Sequence, residues 1–182
     1  MSSETRYHPG ADMQGFMQEL MEFVGFDDAD IAIIRRTAPV ILRHEQAITT
    51  ALYEHFLKFP ATARFFLQDD GTPDQQRLDR RKHSLGRWLR ETAEVSMTHD
   101  FVYYLLGVAL SHSHRATGPG GKVPPQFMVA AMSIAQTSFA HLFQAELGDL
   151  QEAFAASIAW NKLLLIHLNA LLLGYFLPPR QN

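Results

Sequence analysis

The chain has 182 residues, with 16 lysines and arginines against 19 aspartates and glutamates, and its formal net charge at pH 7 is −3. This length fits one domain whose core can enclose a medium-sized ligand. So small a net charge favours neither nucleic acid nor an anionic membrane surface as a partner. The lack of cysteine excludes disulfides, cysteine-ligated zinc, iron–sulfur clusters and thiol catalysis. No familiar hydrolase or nucleotide-binding motif occurs.

The two ends of the chain predict a flexible N-terminal arm over 1–12 and a single domain over 13–178. The opening segment MSSETRYHPGAD lacks the basic and apolar regions of a secretory signal, so we expect a cytoplasmic protein. Near the C-terminus, LLLIHLNALLLGYFL (163–177) is short for a membrane span and contains His167 and Asn169. We expect a helix that is buried on most sides, in its own domain or in a partner.

Apolar residues recur at helical spacing along the first half of the chain, and no sustained two-residue alternation predicts a strand. The predicted helices cover 13–25, about 28–37 and about 39–59, followed by a short helical turn in ATARFFLQ. Asp27 or Asp28 is expected to cap the second helix. Pro39 is expected in the first turn of the third, and Pro60 to end it.

The second half is predicted to contain four longer helices. They cover about 74–95, from Thr98 or Asp100 to the paired histidines, from Pro124 or Pro125 to about Gln144, and about 149–175. A basic run over 77–82 lies early in the first of these. Such a run is usually a solvated helix face, but it can also meet the acidic groups of a ligand. Seven or eight unequal helices without a repeat predict an all-α, irregular packing more than a symmetric four-helix bundle.

Two histidines stand one residue apart in GVALSHSHRATGPGG (107–121), where an apolar stretch meets a glycine-rich break. Residues two apart on an α-helix point about 200° apart, so His112 and His114 do not easily converge on one metal ion while helical. A neutral imidazole on an apolar wall can coordinate iron, whereas a histidine at a helix end often bonds a last-turn carbonyl. Periodicity alone leaves both interpretations and both histidines open.

Three separated parts of the chain carry a family resemblance. They are FVGFDDADIAIIRRTAPVILRHEQAITTALYEHFLKFPATARFF (23–66), LGRWLRETAEVSMTHDFVYYLLGVALSHSHR (85–115), and the pair VPPQFMVAAM and AWNKLLL. In this order and spacing they resemble the globin domains of protoglobins and globin-coupled sensors. The resemblance covers most of residues 20–175. It implies a globin fold of the sensor-globin or protoglobin type, with an extra N-terminal helix and a bound b-type haem.

The same resemblance implies which histidine ligates the iron. In the family, the ligand lies 24 residues after the tryptophan of the distal-helix motif and 11 after the aromatic residue that opens the next helix. Counted from Trp88 and Phe101, both spacings reach His112. His112 is therefore expected to ligate the iron, and His114 to be an exposed neighbour that tolerates replacement.

Tyr53 matches the distal tyrosine of the family, whose hydroxyl donates a hydrogen bond to iron-bound dioxygen. Without that role it is a core tyrosine with its hydroxyl at the edge. The other residues expected around the haem are Leu85, Trp88, Phe66, Val108 and Met132. The basic run over 77–82 and the N-terminal arm are candidates for holding the haem propionates. Leu52, Leu85 and Ala109 depart from the family pattern, which affects the expected distal geometry and ligand access.

The expected function is sensing or binding of a diatomic gas (O₂, CO or NO), in a homodimer formed through the last two helices. No output module follows Asn182, so a sensor of this kind is expected to signal through a separate partner or to be cut from a longer chain. One alternative is a haem enzyme, such as a NO dioxygenase or a peroxidase-like protein. It is less favoured, because no fused reductase or dedicated distal acid/base pair is seen. The other is a haem-free globin-fold module for signalling or interaction.

Overall fold

The computed structural model describes residues 10–114 and 120–177, and this part of the chain forms eight α-helices without a β-strand. The helices are α1 (Met13–Phe23), α2 (Asp28–Arg43), α3 (Glu45–Lys58), α4 (Pro60–Ala63), α5 (Gln75–Ala93), α6 (His99–Ser113), α7 (Pro125–Glu146) and α8 (Leu150–Phe176). The prediction of an all-α chain with seven or eight unequal helices is confirmed for these residues. Most of the predicted N-terminal arm, part of the glycine-rich break and residue 178 lie outside them.

Short polar side chains set the starts of α2, α5, α6 and α8, among other helices. Asp27 caps α2 in a capping box with Asp30, in which each side chain accepts a hydrogen bond from the backbone of the other. Asp74, Thr98 and Asp149 accept hydrogen bonds from the first turns of α5, α6 and α8. These caps satisfy N–H groups that have no partner inside the helix. The sequence predicted a helix start at or next to each of these residues, but it predicted caps only for Asp27 and Thr98, each as one of a pair of alternatives.

The prediction that Pro39 begins a helix is wrong, because Pro39 lies inside α2. A proline there removes one intrahelical hydrogen bond, which usually ends or kinks a helix. Here Ile34 and Ile41, on the two sides of the proline, are both fully buried. Burial of this apolar face outweighs the lost hydrogen bond and carries the helix on to Arg43. The break comes at His44, whose N–H bonds the carbonyl oxygen of Ile41 at 3.0 Å in a tight turn.

The last helix, α8, is at the centre of the fold and packs against α7, α6, α2 and α1. Among the described helices it alone is long and apolar enough to span a membrane by length and composition, and 61% of its most apolar window is buried inside the protein. Near its middle, the fully buried Trp160 packs edge-to-face on Phe139 of α7, with ring centroids 5.3 Å apart. The burial matches the core helix that the sequence predicted for 163–177.

The C-terminal turns of α6 and α8 touch through their backbones. A Cβ atom added to Gly174 of α8 would lie 2.6 Å from the carbonyl carbon of Ala109 and 2.8 Å from Oγ of Ser113. Only glycine leaves room for so close an approach. The contact fixes the end of α6, which is the end that carries His112.

Candidate functional site

Two adjoining cavities lie between α3, α5, α6 and α7, and Tyr53, Phe56, Arg81 and His112 line both of them. The arginine cavity, named for its lining residues Arg77, Arg80 and Arg81, has a volume of about 400 Å³. The inner cavity has a volume of about 160 Å³ and mostly apolar walls. Together they form an apolar cleft that is basic along one edge. Sites for cofactors in proteins commonly have this character.

The structure brings all seven of the predicted site residues to the walls of these cavities. Tyr53 and His112 line both; Phe66 lines the arginine cavity; Leu85, Trp88, Val108 and Met132 line the inner cavity. They come from α3, α5, α6, α7 and the segment after α4. The basic run is also at the site, because three of its arginines line the arginine cavity.

The ring of His112 is held in one orientation by its own helix. Its Nδ1 donates to the carbonyl oxygen of Val108, one turn earlier, at 2.7 Å. A carbonyl oxygen only accepts, so the proton of the neutral ring is on Nδ1 and Nε2 keeps a free lone pair. Burial lowers the pKa of His112, more than the Val108 hydrogen bond raises it, and Arg81 lowers it further. The cleft therefore contains a neutral imidazole with one nitrogen available to a metal.

Tyr53 supplies a hydroxyl to the same cleft. Its ring packs edge-to-face against Phe66 and Phe56, with centroids 5.4 Å and 5.8 Å away. Burial raises the pKa of Tyr53 well above its usual value, although the positive charge of Arg81 lowers it in part. The hydroxyl keeps its proton at neutral pH and can act as a hydrogen-bond donor in an apolar setting.

His114 lies two residues after His112, on another side of α6, and is not among the residues that line the two cavities. The expectation that it is exposed is wrong, because it is half-buried. Its Nε2 donates to the carbonyl oxygen of Leu177, just after α8, at 3.1 Å. This carbonyl is beyond the last turn of the helix and has no partner within it. His114 therefore joins α6 to α8.

Sequence reasoning missed a polar pair in the inner cavity. Tyr104 donates its hydroxyl proton to the carbonyl oxygen of Ser84 at 2.9 Å, and the two hydroxyl oxygens are 2.8 Å apart. Tyr104 lies two turns before His112 on the same face of α6, so helical spacing could have placed it in the cleft. Its partner on α5 could not have been found in this way, because pairing between helices leaves no local pattern.

The fold and this cleft together define an all-α, globin-like protein in which the half-buried His112 faces an apolar cavity. The protoglobin family model matches the sequence over residues 14–178. The chain therefore belongs to the protoglobin family. Among curated proteins, none matches the sequence significantly.

Solved structures give the same fold. The globin domain of the Geobacter sulfurreducens globin-coupled sensor is similar to this chain with a TM-score of 0.72 and 21% sequence identity, over 87% of this chain and 97% of that one. The ferric globin domain of E. coli DosC is similar with a TM-score of 0.66 and 12% identity, over 86% and 97% of the two chains. The ferrous form of that domain gives 0.64 and 13%, over 87% and 97%. The predicted globin fold of the sensor type is confirmed.

Proposed function

We propose that this chain binds a b-type haem through His112 and reversibly binds a diatomic gas at the iron. The observation that carries the proposal is the hydrogen bond from Nδ1 of the half-buried His112 to the Val108 carbonyl, which leaves Nε2 free at the cleft. A haem iron takes four nitrogens from the porphyrin and needs one strong protein ligand, which a neutral histidine supplies. When bound, the haem supplies an iron atom with an open position for the gas.

The other predicted residues provide contacts suited to the porphyrin ring and to a gas ligand on the iron. Leu85, Val108 and Met132 offer apolar contact to the porphyrin faces and exclude water. Tyr53 keeps its proton, so its hydroxyl can donate a hydrogen bond to a polar gas ligand such as O₂. Phe66 packs edge-to-face on the ring of Tyr53, and Trp88 contributes a further apolar wall of the inner cavity.

The basic edge of the cleft fits the two carboxylates of a haem. Arg77 is paired with Asp74 at 3.0 Å. Arg80 and Arg81 line the same cavity, and no salt bridge to either is found in the described part of the chain. A guanidinium group binds a carboxylate through two parallel hydrogen bonds. Arg80 and Arg81 are therefore the proposed partners of the propionates.

The outer face of α8 supports the proposal of a homodimer. Leu150, Phe154, Ile158 and Leu165 lie along one side of this helix and are 69%, 65%, 43% and 40% exposed. An exposed apolar stripe of this length is typical of an interface, and two copies related by a twofold axis would each cover the other's stripe. In the proposed dimer, α7 and α8 form the interface. The protein is proposed to be cytoplasmic and to signal to a separate partner.

Haem binding through His112 is tested by the absorbance spectrum of the protein expressed with haem available. We expect a Soret band that is lost or shifted in His112→Gly and restored by added imidazole, which replaces the missing ring. His99→Gly is the matched control, because His99 is an exposed histidine at the other end of α6 and lines neither cavity, and it should keep the wild-type spectrum. An unchanged band in His112→Gly would exclude His112 as the ligand. A protein without any Soret band would favour the haem-free signalling module.

Sedimentation equilibrium tests the dimer. We expect the wild type to be a dimer at micromolar concentration and the double variant Phe154→Glu with Ile158→Glu to be a monomer, because two buried charges oppose association. Phe23→Glu is the control, since Phe23 is 88% exposed and lies on α1. A wild type that is monomeric at this concentration would refute the dimer.

A further inference from the structure

Two consecutive hydrogen bonds join the end of α8 to the peptide group that follows His112. The N–H of Val123 donates to the His112 carbonyl oxygen at 3.0 Å. The Tyr175 hydroxyl, on the last turn of α8, donates to the Val123 carbonyl oxygen at 2.7 Å. Only Val123 therefore separates the main chain of the proposed iron ligand from α8.

The Tyr175 hydroxyl remains a donor over the whole physiological pH range. Burial raises the pKa of Tyr175 to about 12. The carbonyl oxygen of Val123 can only accept, so the direction of the hydrogen bond is fixed. The bond thus restrains the Val123 peptide group whatever the pH.

A second polar contact joins the same two parts of the chain. His114 is the C-cap of α6, and Leu177 is the C-cap of α8. The Nε2–H of His114 donates a hydrogen bond to the carbonyl oxygen of Leu177 at 3.1 Å. This hydrogen bond therefore links the C-terminal ends of α6 and α8. The backbone contact between Ala109 and Gly174 lies about one turn before them on each helix. Packed backbones cannot deform independently, so a displacement of one helix end moves the other.

We infer that these contacts couple the state of the His112 site to the C-terminal turn of α8. The inference rests on the proposed function, because it takes His112 as the iron ligand. A shift of His112 alters the hydrogen bonds of Val123, Tyr175 and Leu177. Thermodynamic linkage makes the effect reciprocal. If gas binding changes the equilibrium between formed and broken hydrogen bonds by some factor, breaking these bonds changes the affinity for the gas by the same factor. Tyr175 and His114 are positioning residues for the ligand helix.

Amide hydrogen–deuterium exchange of residues 170–177 tests the coupling in the reduced, haem-loaded protein with and without CO. We expect CO to change the exchange rate of this segment by about fivefold or more in the wild type, the lower end of typical coupling energies. Tyr175→Phe removes the hydroxyl and keeps the ring, so the CO effect should fall by more than half. The matched control is Tyr103→Phe, which loses a hydrogen bond to the Ala11 carbonyl instead and should keep the full effect.

The His114 contact provides a second set of variants. His114→Gln keeps a side-chain N–H donor and should retain most of the CO effect, whereas His114→Leu has no donor and should lose a large part of it. The iron–histidine stretching frequency of the reduced protein should shift in Tyr175→Phe and His114→Leu but not in the control. A merely structural loss would lower the melting temperature without moving this frequency.

The outcomes separate the coupling from the proposed function. If residues 170–177 exchange equally with and without CO in a wild type that binds haem through His112, the coupling is refuted and the function stands. The coupling is also refuted if Tyr175→Phe and His114→Leu both fold and keep the full CO effect. If no haem binds through His112, the proposed function fails, and the coupling fails with it.

Discussion

Trp160 of α8 donates its indole N–H to the hydroxyl oxygen of Thr37 on α2 at 2.9 Å, although 123 residues separate the two in sequence. The Thr37 hydroxyl in turn donates a hydrogen bond to the carbonyl oxygen of Ile33 at 2.9 Å. Trp160 and Thr37 are 1% and 0% exposed, so water cannot replace either partner. This bond anchors the central helix to the helix that contains Pro39.

Thr37→Val should therefore destabilise the protein by about 1–3 kcal/mol, since it keeps the shape of the side chain and leaves a buried N–H without an acceptor. Urea unfolding followed by circular dichroism measures the loss. In a Trp160→Phe background, which has no indole N–H, the same substitution should cost clearly less. Equal costs in the two backgrounds would mean that the hydrogen bond contributes nothing.

Gly174→Ala should cost about 1–3 kcal/mol of stability, because the added methyl group meets backbone atoms of Ala109 that cannot move aside. Gly107→Ala on α6 is the matched control. A Cβ there has no atom within 4 Å, and alanine favours a helix over glycine by about 1 kcal/mol. The control should be neutral or stabilising in the same urea experiment. A Gly174→Ala variant as stable as wild type would show that the two helix ends yield easily.

Replacing Arg80 and Arg81 together by glutamine should make haem dissociate about five- to tenfold faster, since each partly exposed ion pair contributes up to about 1 kcal/mol. Transfer of haem to an excess of apomyoglobin gives the rate. Arg90→Gln is the control on the same helix, because Arg90 pairs with Glu45 away from the arginine cavity.

Haem dimethyl ester gives an independent check of the same assignment, because its carboxylates are blocked. The wild type should release this ester about as fast as the double variant releases haem. The double variant should hardly distinguish the two ligands. If the wild type holds ester and haem equally well, the arginines do not bind the propionates.

His167 should make the haem-free protein less stable in mild acid. Burial lowers its pKa from 6.5 to about 3. Below about pH 6.5 the imidazole of His167 is protonated in the unfolded chain, but in the folded chain it stays neutral down to about pH 3. The free energy of unfolding therefore falls as the pH falls through this window. The loss is about 1.4 kcal/mol per pH unit, or about 2 kcal/mol at pH 5.

His167→Leu should remove this part of the pH dependence, whatever its effect on stability at pH 7. Free energies of unfolding at pH 7 and pH 5 for wild type, His167→Leu and the exposed control His141→Leu test the assignment. The difference between the two pH values should shrink by about 2 kcal/mol in His167→Leu alone. An undiminished difference would assign the acid sensitivity to other groups.

Most helices were predictable because their signals are local. Asp27, Asp74, Thr98 and Asp149 begin helices by bonding N–H groups within three residues of themselves. The boundary at Pro39 was not predictable in this way. A proline signals a helix start locally, whereas the burial of Ile41 depends on helices that are distant in sequence.

The candidate site shows the same division. Helical spacing separated the faces of His112 and His114, and the family resemblance chose His112 for the iron. Neither could predict that His114 bonds Leu177, 63 residues later, or that Tyr104 bonds Ser84 across the cleft. Such contacts depend on how whole helices pack, and packing is decided by the complete set of buried side chains.

The two tryptophans provide the protein with internal optical probes of unequal sensitivity. Trp88 lines the inner cavity, whereas Trp160 is enclosed by Phe139, Phe143 and Thr37 in the core. A chromophore in the cleft would accept excitation energy from Trp88 at close range. With Trp160 replaced by phenylalanine, the remaining emission would follow occupancy of the cleft in real time, so loading and release of a coloured ligand can be timed without any attached dye.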